Sequence, residues 1–261
     1  MSRDLSGVGS REGEPLRVKG VVRSSLIEYP GHIADVVFVG GCNFRCLYCY
    51  NRDLVLNHES VPDLPYDQIP GQNRERGRFV DGIVISGGEP TLQPGLEAFL
   101  TLARERHLFI KLDTNGYRPD VLRHCLEARL VDYVAMDIKT SWRRYSELTQ
   151  VEVDVRRLQE SVALILAAGI EHEFRTTVVP GLVGLEEVYE VASTIRGARR
   201  YFLQAFQVVP TVGWGEAVPV RAPDAGLIQQ MMAVAAEQVQ EVGARGLLEG
   251  ADAVISSASG D

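Results

Sequence analysis

The sequence predicts an α/β fold, an open partial (β/α)6 TIM-like barrel of parallel strands, and three observations predict it. Six short β-branched runs recur along the chain, most of them nearly continuous in apolar residues, as strands buried in a parallel sheet are. Apolar residues recur at helical spacing between those runs. The length, 261 residues, is about what eight β/α units need, yet only six units are present.

The runs, in order, are IADVVFVG (33–40), GIVIS (82–86), LFIKLD (108–113), DYVAMDI (132–138), EFRTTVV (173–179) and YFLQAFQVV (201–209). Leu96, Phe99, Leu100 and Ala103 share a helical face after Pro94. Val121, Leu122 and Cys125 share another after Pro119, which suits a first helical turn. Val155, Leu158, Val162, Ile165 and Leu166 form a third stripe, which Gly169 is placed to end. Val188, Val191, Ala192 and Ile195 form a fourth. Leu227, Ile228, Met231, Ala235, Val239 and Val242 form the last, after APD. Alternating strands and helices make parallel units with right-handed crossovers. Residues 57–80, Pro-rich and polar, read as an excursion between the first and second strands. Residues 1–15 read as a disordered tail, 16–245 as the core domain and 246–261 as a second tail. No internal repeat is visible.

Hydrophobic residues make up 45%, the balance of a globular protein. The net charge is −8 and the pI about 5.3, which argues against a nucleic-acid binder. Short basic clusters, such as Arg143 with Arg144 and Arg199 with Arg200, read as solvated surface able to meet an acidic partner. No apolar run reaches membrane-spanning length, and the polar start lacks a secretory h-region. A cytoplasmic, reducing location is expected. There, clustered cysteines mean metal or redox chemistry rather than disulfides.

Three of the four cysteines fall in GGCNFRCLYCYN, at Cys42, Cys46 and Cys49, directly after the first run. Soft thiolates suit an iron–sulfur cluster, zinc or copper(I). Three cysteine ligands on a four-iron cluster leave one iron open to an exogenous group. Zinc would need a fourth ligand. His32 or His58 is a candidate without the usual spacing. Cys125 sits on an apolar helical face and reads as a core thiol. A redox reading of Cys46 and Cys49 leaves Cys42 unexplained.

Ligands of such folds sit at the carboxyl ends of strands, and the other motifs fall there too. SGGEP (86–90) has the Gly-Gly that a close approach of backbone to ligand requires, although Glu89 alone also reads as a helix-start carboxylate. KLDTNG places Asp113, Thr114 and Asn115 before Gly116, where they also suit a plain turn. MDIK ends an apolar run in Asp137 and Lys139, charges that are costly unless paired or exposed at the mouth. Arg175 in EFRTTVVPG is placed to bind a ligand carboxylate or a partner's backbone, or to pair with Glu171 or Glu173. Gln204 and Gln207 stand at the end of the sixth run. Trp142 and Tyr145 follow MDIKT as packing residues.

CNFRCLYC resembles the C-x3-C-x-aromatic-C signature of the radical S-adenosylmethionine superfamily. With SLIEYPG, ISGGEPTLQ, KLDTNGYRP, LVDYVAMDIK and EFRTTVVPG, the chain looks like a glycyl-radical-enzyme activase. Among those, it is most similar to the activating proteins of anaerobic ribonucleoside-triphosphate reductase. The resemblance implies a 4Fe-4S cluster on Cys42, Cys46 and Cys49, its open iron chelated by S-adenosylmethionine. It assigns Gly87, Gly88 and Glu89 to the ligand's ammonium and Lys139 to its carboxylate. Asp113, Thr114 and Asp137 go to a ribose contact and a monovalent-cation site. Tyr48, Asn115, Arg175, Val178 and Gln204 complete the implied contacts, with Val178 on the adenine. The implied reaction is reductive cleavage to a 5′-deoxyadenosyl radical that abstracts hydrogen from a glycine Cα of a partner enzyme, with flavodoxin or ferredoxin as electron donor. One residue departs from the pattern. Tyr50 stands where the family usually has His after the third cysteine. A radical enzyme acting on a small molecule, a protein that binds S-adenosylmethionine without cleaving it and a non-catalytic zinc module are the competing readings.

Overall fold

Strands form at all six predicted places, within two residues at their starts and four at their ends, in a computed structural model that describes residues 15–65, 68, 69, 79–208, 221–247 and 253–256. They are β2 (Ala34–Val39), β3 (Gly82–Gly87), β4 (Phe109–Thr114), β5 (Tyr133–Asp137), β6 (Glu171–Val178) and β7 (Arg200–Ala205). Three strands come in addition: β1 (Val18–Ser25), β8 (Glu241–Arg245) and β9 (Ala253–Ser256). The helices are α1 (Arg52–Leu56), α2 (Leu96–Glu105), α3 (Pro119–Glu127), α4 (Tyr145–Thr149), α5 (Val155–Ala167), α6 (Leu185–Thr194) and α7 (Ala225–Ala236). The chain divides into two units. One takes in residues up to Asn43, Asp53–Asp113 and His124–Asp132. The other takes in Phe44–Arg52, Thr114–Arg123 and the chain from Tyr133.

In the first unit β2, β3 and β4 are parallel, with Ala34 opposite Gly82 and Gly82 opposite Phe109. β1 lies antiparallel on β2, and its register shifts near Gly20 and again before Ser25. Its sequence, VKGVVRSS, escapes the β-run reading because Lys19, Gly20 and Arg23 interrupt it. Val61, Asp63 and Leu64, at the start of the excursion, meet this edge, which would otherwise offer unpaired backbone. Leu64 N–H donates to Val18 O at 2.8 Å, and the buried Lys19 reaches Val61 O and Asp63, each at 2.7 Å. The expected N-terminal tail lies outside the described residues except for Pro15. Ile83, Ile85, Ile110, Leu112 and Leu100 fill the core, each 1% exposed or less. Cys125 joins them at 1% exposure, and burial pushes its thiol up to about 12.

The second unit runs β5, β6, β7 and β8 in parallel, with β9 antiparallel on β8. Two sequence expectations change here. The last apolar stripe does not continue through Val242. The helix ends at Ala236, Gly197 N–H takes Gln238 O, and Gln240 N–H takes Ala198 O, so the chain peels away into β8. The spacing of Val239 and Val242 fits a helix or a strand equally well over so short a run. Residues 253–256, within the expected C-terminal tail, pair with β8 from Glu241–Ser256 to Ala244–Ala253.

Strand alternation gives this sheet two unlike faces. Val134, Met136, Phe174, Val178, Tyr201, Leu203, Val242 and Ala244 are all fully buried and apolar. The opposite face carries charge. Glu173, fully buried, accepts from Tyr133 Oη at 2.9 Å and from both terminal nitrogens of Arg245 at 3.1 and 3.0 Å. The Arg245 guanidinium stacks 3.6 Å over the Phe202 ring. Arg200 donates to Tyr133 Oη and pairs with Glu171.

Arg245→Met removes two charge-assisted hydrogen bonds from the buried Glu173, which keeps Tyr133 and the more distant Arg175. Unfolding free energy therefore falls by about 2–3 kcal/mol in urea titration, and Glu173→Gln in the same background restores part of it. The depth of Cys125 sets a second expectation. In native protein it resists iodoacetamide and reacts only on unfolding, and Cys125→Ser leaves iron binding after reconstitution unchanged.

Candidate functional site

Each unit carries part of the predicted set. In the first unit, the turn Gly40–Gly41 brings the chain from β2 to Cys42. Gly41 has φ +79°, and its carbonyl takes Glu89 N–H at 2.8 Å. Gly88 N–H donates to Val39 O at 2.8 Å, and Gln93 Nε2 donates to Gly40 O at 2.8 Å. The SGGE loop is thus laced to the approach to the first cysteine. A Cβ on Gly88 would sit 1.9 Å from Gly41 O, and one on Gly87, at φ +114°, 2.5 Å from Val39 backbone. The loop's close approach to neighbouring backbone requires both glycines, a different neighbour from the ligand that the sequence reading names.

Glu89 is 1% exposed. Its Oε1 accepts from Thr91 N–H at 3.1 Å and from the Thr91 hydroxyl, capping the 3-10 turn Pro90–Leu92. Asp113 accepts from Ser86 Oγ at 3.0 Å and lies 3.2 Å from Lys111 Nζ. Lys111 went unnoticed in the sequence. It is buried in β4 and donates to Glu28 O at 2.6 Å. The signal was Lys-x-Asp, which puts both side chains on one strand face.

The two histidines weighed as zinc ligands are separated in role. His32 pairs with Asp81 at the start of β2. The His58 ring lies against Gly40 and Gly41, 3.4 Å from where a Gly41 Cβ would be, and its buried Nδ1 has no hydrogen-bond partner. Among the described residues, no three His, Cys, Asp or Glu side chains gather as one metal ion needs.

The second unit holds Cys46 and Cys49. Arg45 N–H donates to Thr149 O at 2.9 Å and Leu47 N–H to Leu148 O at 3.2 Å. The loop thereby satisfies carbonyls that the end of α4 leaves open. Phe44 packs edge-on to Tyr117 and Tyr145, with centroids 5.5 and 6.0 Å away. Tyr145, fully buried, accepts from Lys139 N–H at 3.1 Å. It is a packing residue, as expected, that also ties the loop to the MDIK turn.

Asp137 and Arg175 are opposite each other in the register of β5 and β6. Arg175 Nε is 2.7 Å from Asp137 Oδ1, and Lys139 Nζ is 2.9 Å from Asp137 Oδ2. Arg175 pairs here, with Glu173 further off at 3.8 Å, while Glu171 pairs with Arg199 and Arg200. Burial alone would raise the Asp137 pKa. Arg175 and Lys139 outweigh it and hold the carboxyl far below the ordinary range. Burial works against the Lys139 charge, but Asp137, then Tyr48 and Cys46, keep the ammonium well above its usual value. The Cys46 thiol is pushed up to about 11 by burial, against the lowering pull of Lys139. Burial also raises Cys49 and Tyr48.

Several predicted residues stay in local roles or stand apart. Thr114 Oγ1 accepts from Gly116 N–H and Asn115 Oδ1 from Tyr117 N–H, both at 3.0 Å, as turn formers do. Val178 is fully buried on the strand face opposite Arg175. Gln204 is half-buried between Thr177 and Arg245 in register. Tyr48, 4% exposed, has a hydroxyl with no protein partner. The sequence reading passed over Thr140 and Ser141, which follow Lys139. Their hydroxyls are equally buried and equally without partners. Such atoms cost free energy unless a ligand or water meets them.

Residues 36–195 match the model of the radical SAM superfamily. A Methanocaldococcus jannaschii protein named as a glycyl-radical enzyme activating enzyme is 34% identical over 197 residues, covering 73% of this chain and 80% of its own. Pyruvate formate-lyase-activating enzyme of Streptococcus mutans is 29% identical, over 77% of this chain and 82% of its own. Among solved structures, Streptococcus suis SuiB superposes with a TM-score of 0.62 at 14% identity, over 82% of this chain and 49% of that one. That likeness bears on the fold alone, and it agrees with the parallel β/α units read from the sequence. The chain belongs to the radical SAM superfamily of enzymes and, within it, to the family of the glycyl-radical-enzyme activating enzymes.

Proposed function

We propose that this enzyme generates the glycyl radical of a partner protein, and that the partner is anaerobic ribonucleoside-triphosphate reductase. One observation carries most weight for the site: the half-buried Lys139–Asp137 pair, near enough for its charges to act on the Cys46 thiol, with the unpartnered hydroxyls of Tyr48, Thr140 and Ser141. A cation held next to a thiolate donor, among unsatisfied donors, suits an anionic amino-acid ligand at a cluster's open iron. The donor chemistry fits as well. None of the three cysteines of the motif is in a disulfide, and the fourth cysteine is in the core.

When bound, the 4Fe-4S cluster and S-adenosylmethionine supply a one-electron cleavage whose 5′-deoxyadenosyl radical takes a hydrogen atom from the partner's glycine. The chain's own residues hold and orient. Cys42, Cys46 and Cys49 ligate three irons. Gly87 and Gly88 offer backbone at close range, and Glu89 accepts from the ligand's ammonium. Lys139 donates to its carboxylate and is kept charged by Asp137. Asp113, Thr114 and Asp137 serve the ribose and a monovalent cation, with Asn115 beside them. Arg175 fixes the Asp137 carboxylate from the side opposite Lys139. Tyr48 and Gln204 line the nucleoside, and Val178, on the other face of β6, backs the strand end in place of the adenine contact the resemblance implies. No side chain acts as a proton acid or base in this scheme.

The reductase assignment rests on the resemblance of SLIEYPG, KLDTNGYRP and LVDYVAMDIK to that branch. It also rests on a cysteine inventory that fills one cluster and leaves only a core thiol. The electron donor in this reading is flavodoxin or ferredoxin, and the setting is cytoplasmic. No helix among the described residues is long and apolar enough to cross a membrane.

A glycine-loop peptide of the reductase, deuterated at Cα, tests the partner. Deuterium appears in 5′-deoxyadenosine; its absence, with cleavage intact, points to another substrate. S-adenosylmethionine perturbs the EPR signal of the reduced cluster, and a colourless protein holding zinc alone after anaerobic reconstitution would overturn the enzyme reading. Lys139→Met keeps the cluster signal but raises the S-adenosylmethionine concentration needed for that perturbation by about tenfold or more, the loss of one charge-assisted bond of about 1.5–3 kcal/mol. Gly88→Ala forces Gly41 to move, so iron content falls and stability drops by about 2 kcal/mol or more in denaturant titration.

A further inference from the structure

The cysteine loop in the second unit exposes two arginines and a tyrosine within eight residues. Arg45 and Arg52 are exposed on either side of Cys49, and both lie near enough for their charges to act on its thiol. Arg52 makes no ion pair among the described residues. The following carboxylate, Asp53, is engaged by Asn57. Tyr50 is 40% exposed and Val208 37%. The Tyr50 ring stacks on Phe206 at 5.9 Å. Its hydroxyl accepts from Gln207 N–H at 2.6 Å and donates to Gln207 O at 3.2 Å. Tyr50 is therefore held rigid, with half its ring presented outward beside a half-buried Cys49.

We infer that Arg45, Tyr50, Arg52 and Val208 form the docking surface for an acidic protein that carries a low-potential one-electron centre. Arginine and tyrosine around an apolar centre are the side chains that anchor protein interfaces. A ring already fixed in place loses little freedom on binding. The charge argument is sharper. The chain carries −8 overall, so an acidic partner is repelled by the molecule as a whole and needs a local positive field to find its place. That field surrounds a cysteine of the motif, where one electron must enter. The donor is oxidised by one electron and the cluster on Cys42, Cys46 and Cys49 is reduced by one, with no proton or group transferred. Tyr50, the departure from the family pattern, becomes an interface residue. This inference rests on the cluster-binding reading above and is independent of which partner receives the radical.

The test uses reconstituted enzyme and flavodoxin hydroquinone as the probe. Bleaching of the cluster is followed by stopped flow, and flavodoxin affinity by flavin fluorescence. In the unaltered enzyme, both rate and affinity fall as salt rises. The pair Arg45→Glu/Arg52→Glu lowers the low-salt rate by about tenfold or more and flattens its salt dependence, while reduction by dithionite and dithionite-driven cleavage stay unchanged. Tyr50→Ala weakens flavodoxin affinity at high salt as well, and Tyr50→Phe keeps most of it. Should the double variant fail to take up a cluster, the unaltered enzyme still decides. A rate that rises with salt, as for two net-acidic proteins repelling each other, overturns the docking surface, as does a double variant reduced by flavodoxin at the unaltered rate. Loss of dithionite-driven cleavage in the unaltered enzyme counts instead against the proposed function.

Discussion

The Asp137 carboxylate is the point on which the second unit's site depends. It receives Arg175 on one oxygen and Lys139 on the other. Strand register puts the first partner there, because Asp137 and Arg175 face each other across β5 and β6. The second comes from the chain's own continuation two residues on. An ammonium so placed stays charged against burial and is still partly solvated, since 16% of the Lys139 side chain is exposed. The same turn runs on through Thr140 and Ser141 to Tyr145. That ring packs on Phe44, and the helix it begins accepts the N–H groups of Arg45 and Leu47. Carboxylate, lysine and cysteine loop are thus one connected piece of backbone and packing.

Deeper along the same sheet face, Glu173 is satisfied by Tyr133 and Arg245. Hydrophobic replacements often stabilise a fold as well as buried ions do. The charges here are therefore not explained by stability alone. Each has a partner of opposite sign: Glu171 with Arg199 and Arg200, Glu173 with Arg245, and Arg175 with Asp137.

The six central strands were legible because each is a short run rich in β-branched and aromatic residues, too short for a buried helix. The edge strand β1 was not, since an edge tolerates Lys19 and Arg23. Nor was β8, whose EVGAR continues an apolar helical spacing without a visible break. Motif positions were legible from their place at strand ends, but the backbone of Val39 and Gly41 that makes Gly87 and Gly88 necessary was not. Partners were not legible. Nothing in EFRTTVVPG says whether Arg175 meets Asp137 or Glu173, because that choice is made by register between distant segments. Lys111 was hidden for the same reason: its carbonyl partner, Glu28, lies 83 positions away.

The capping of α4 by the cysteine loop has a consequence for substitutions nearby. The N–H groups of Arg45 and Leu47 are spent on helix carbonyls, and Phe44 is seated between two tyrosines. A change in α4 therefore reaches the cysteine loop through backbone hydrogen bonds as well as through packing.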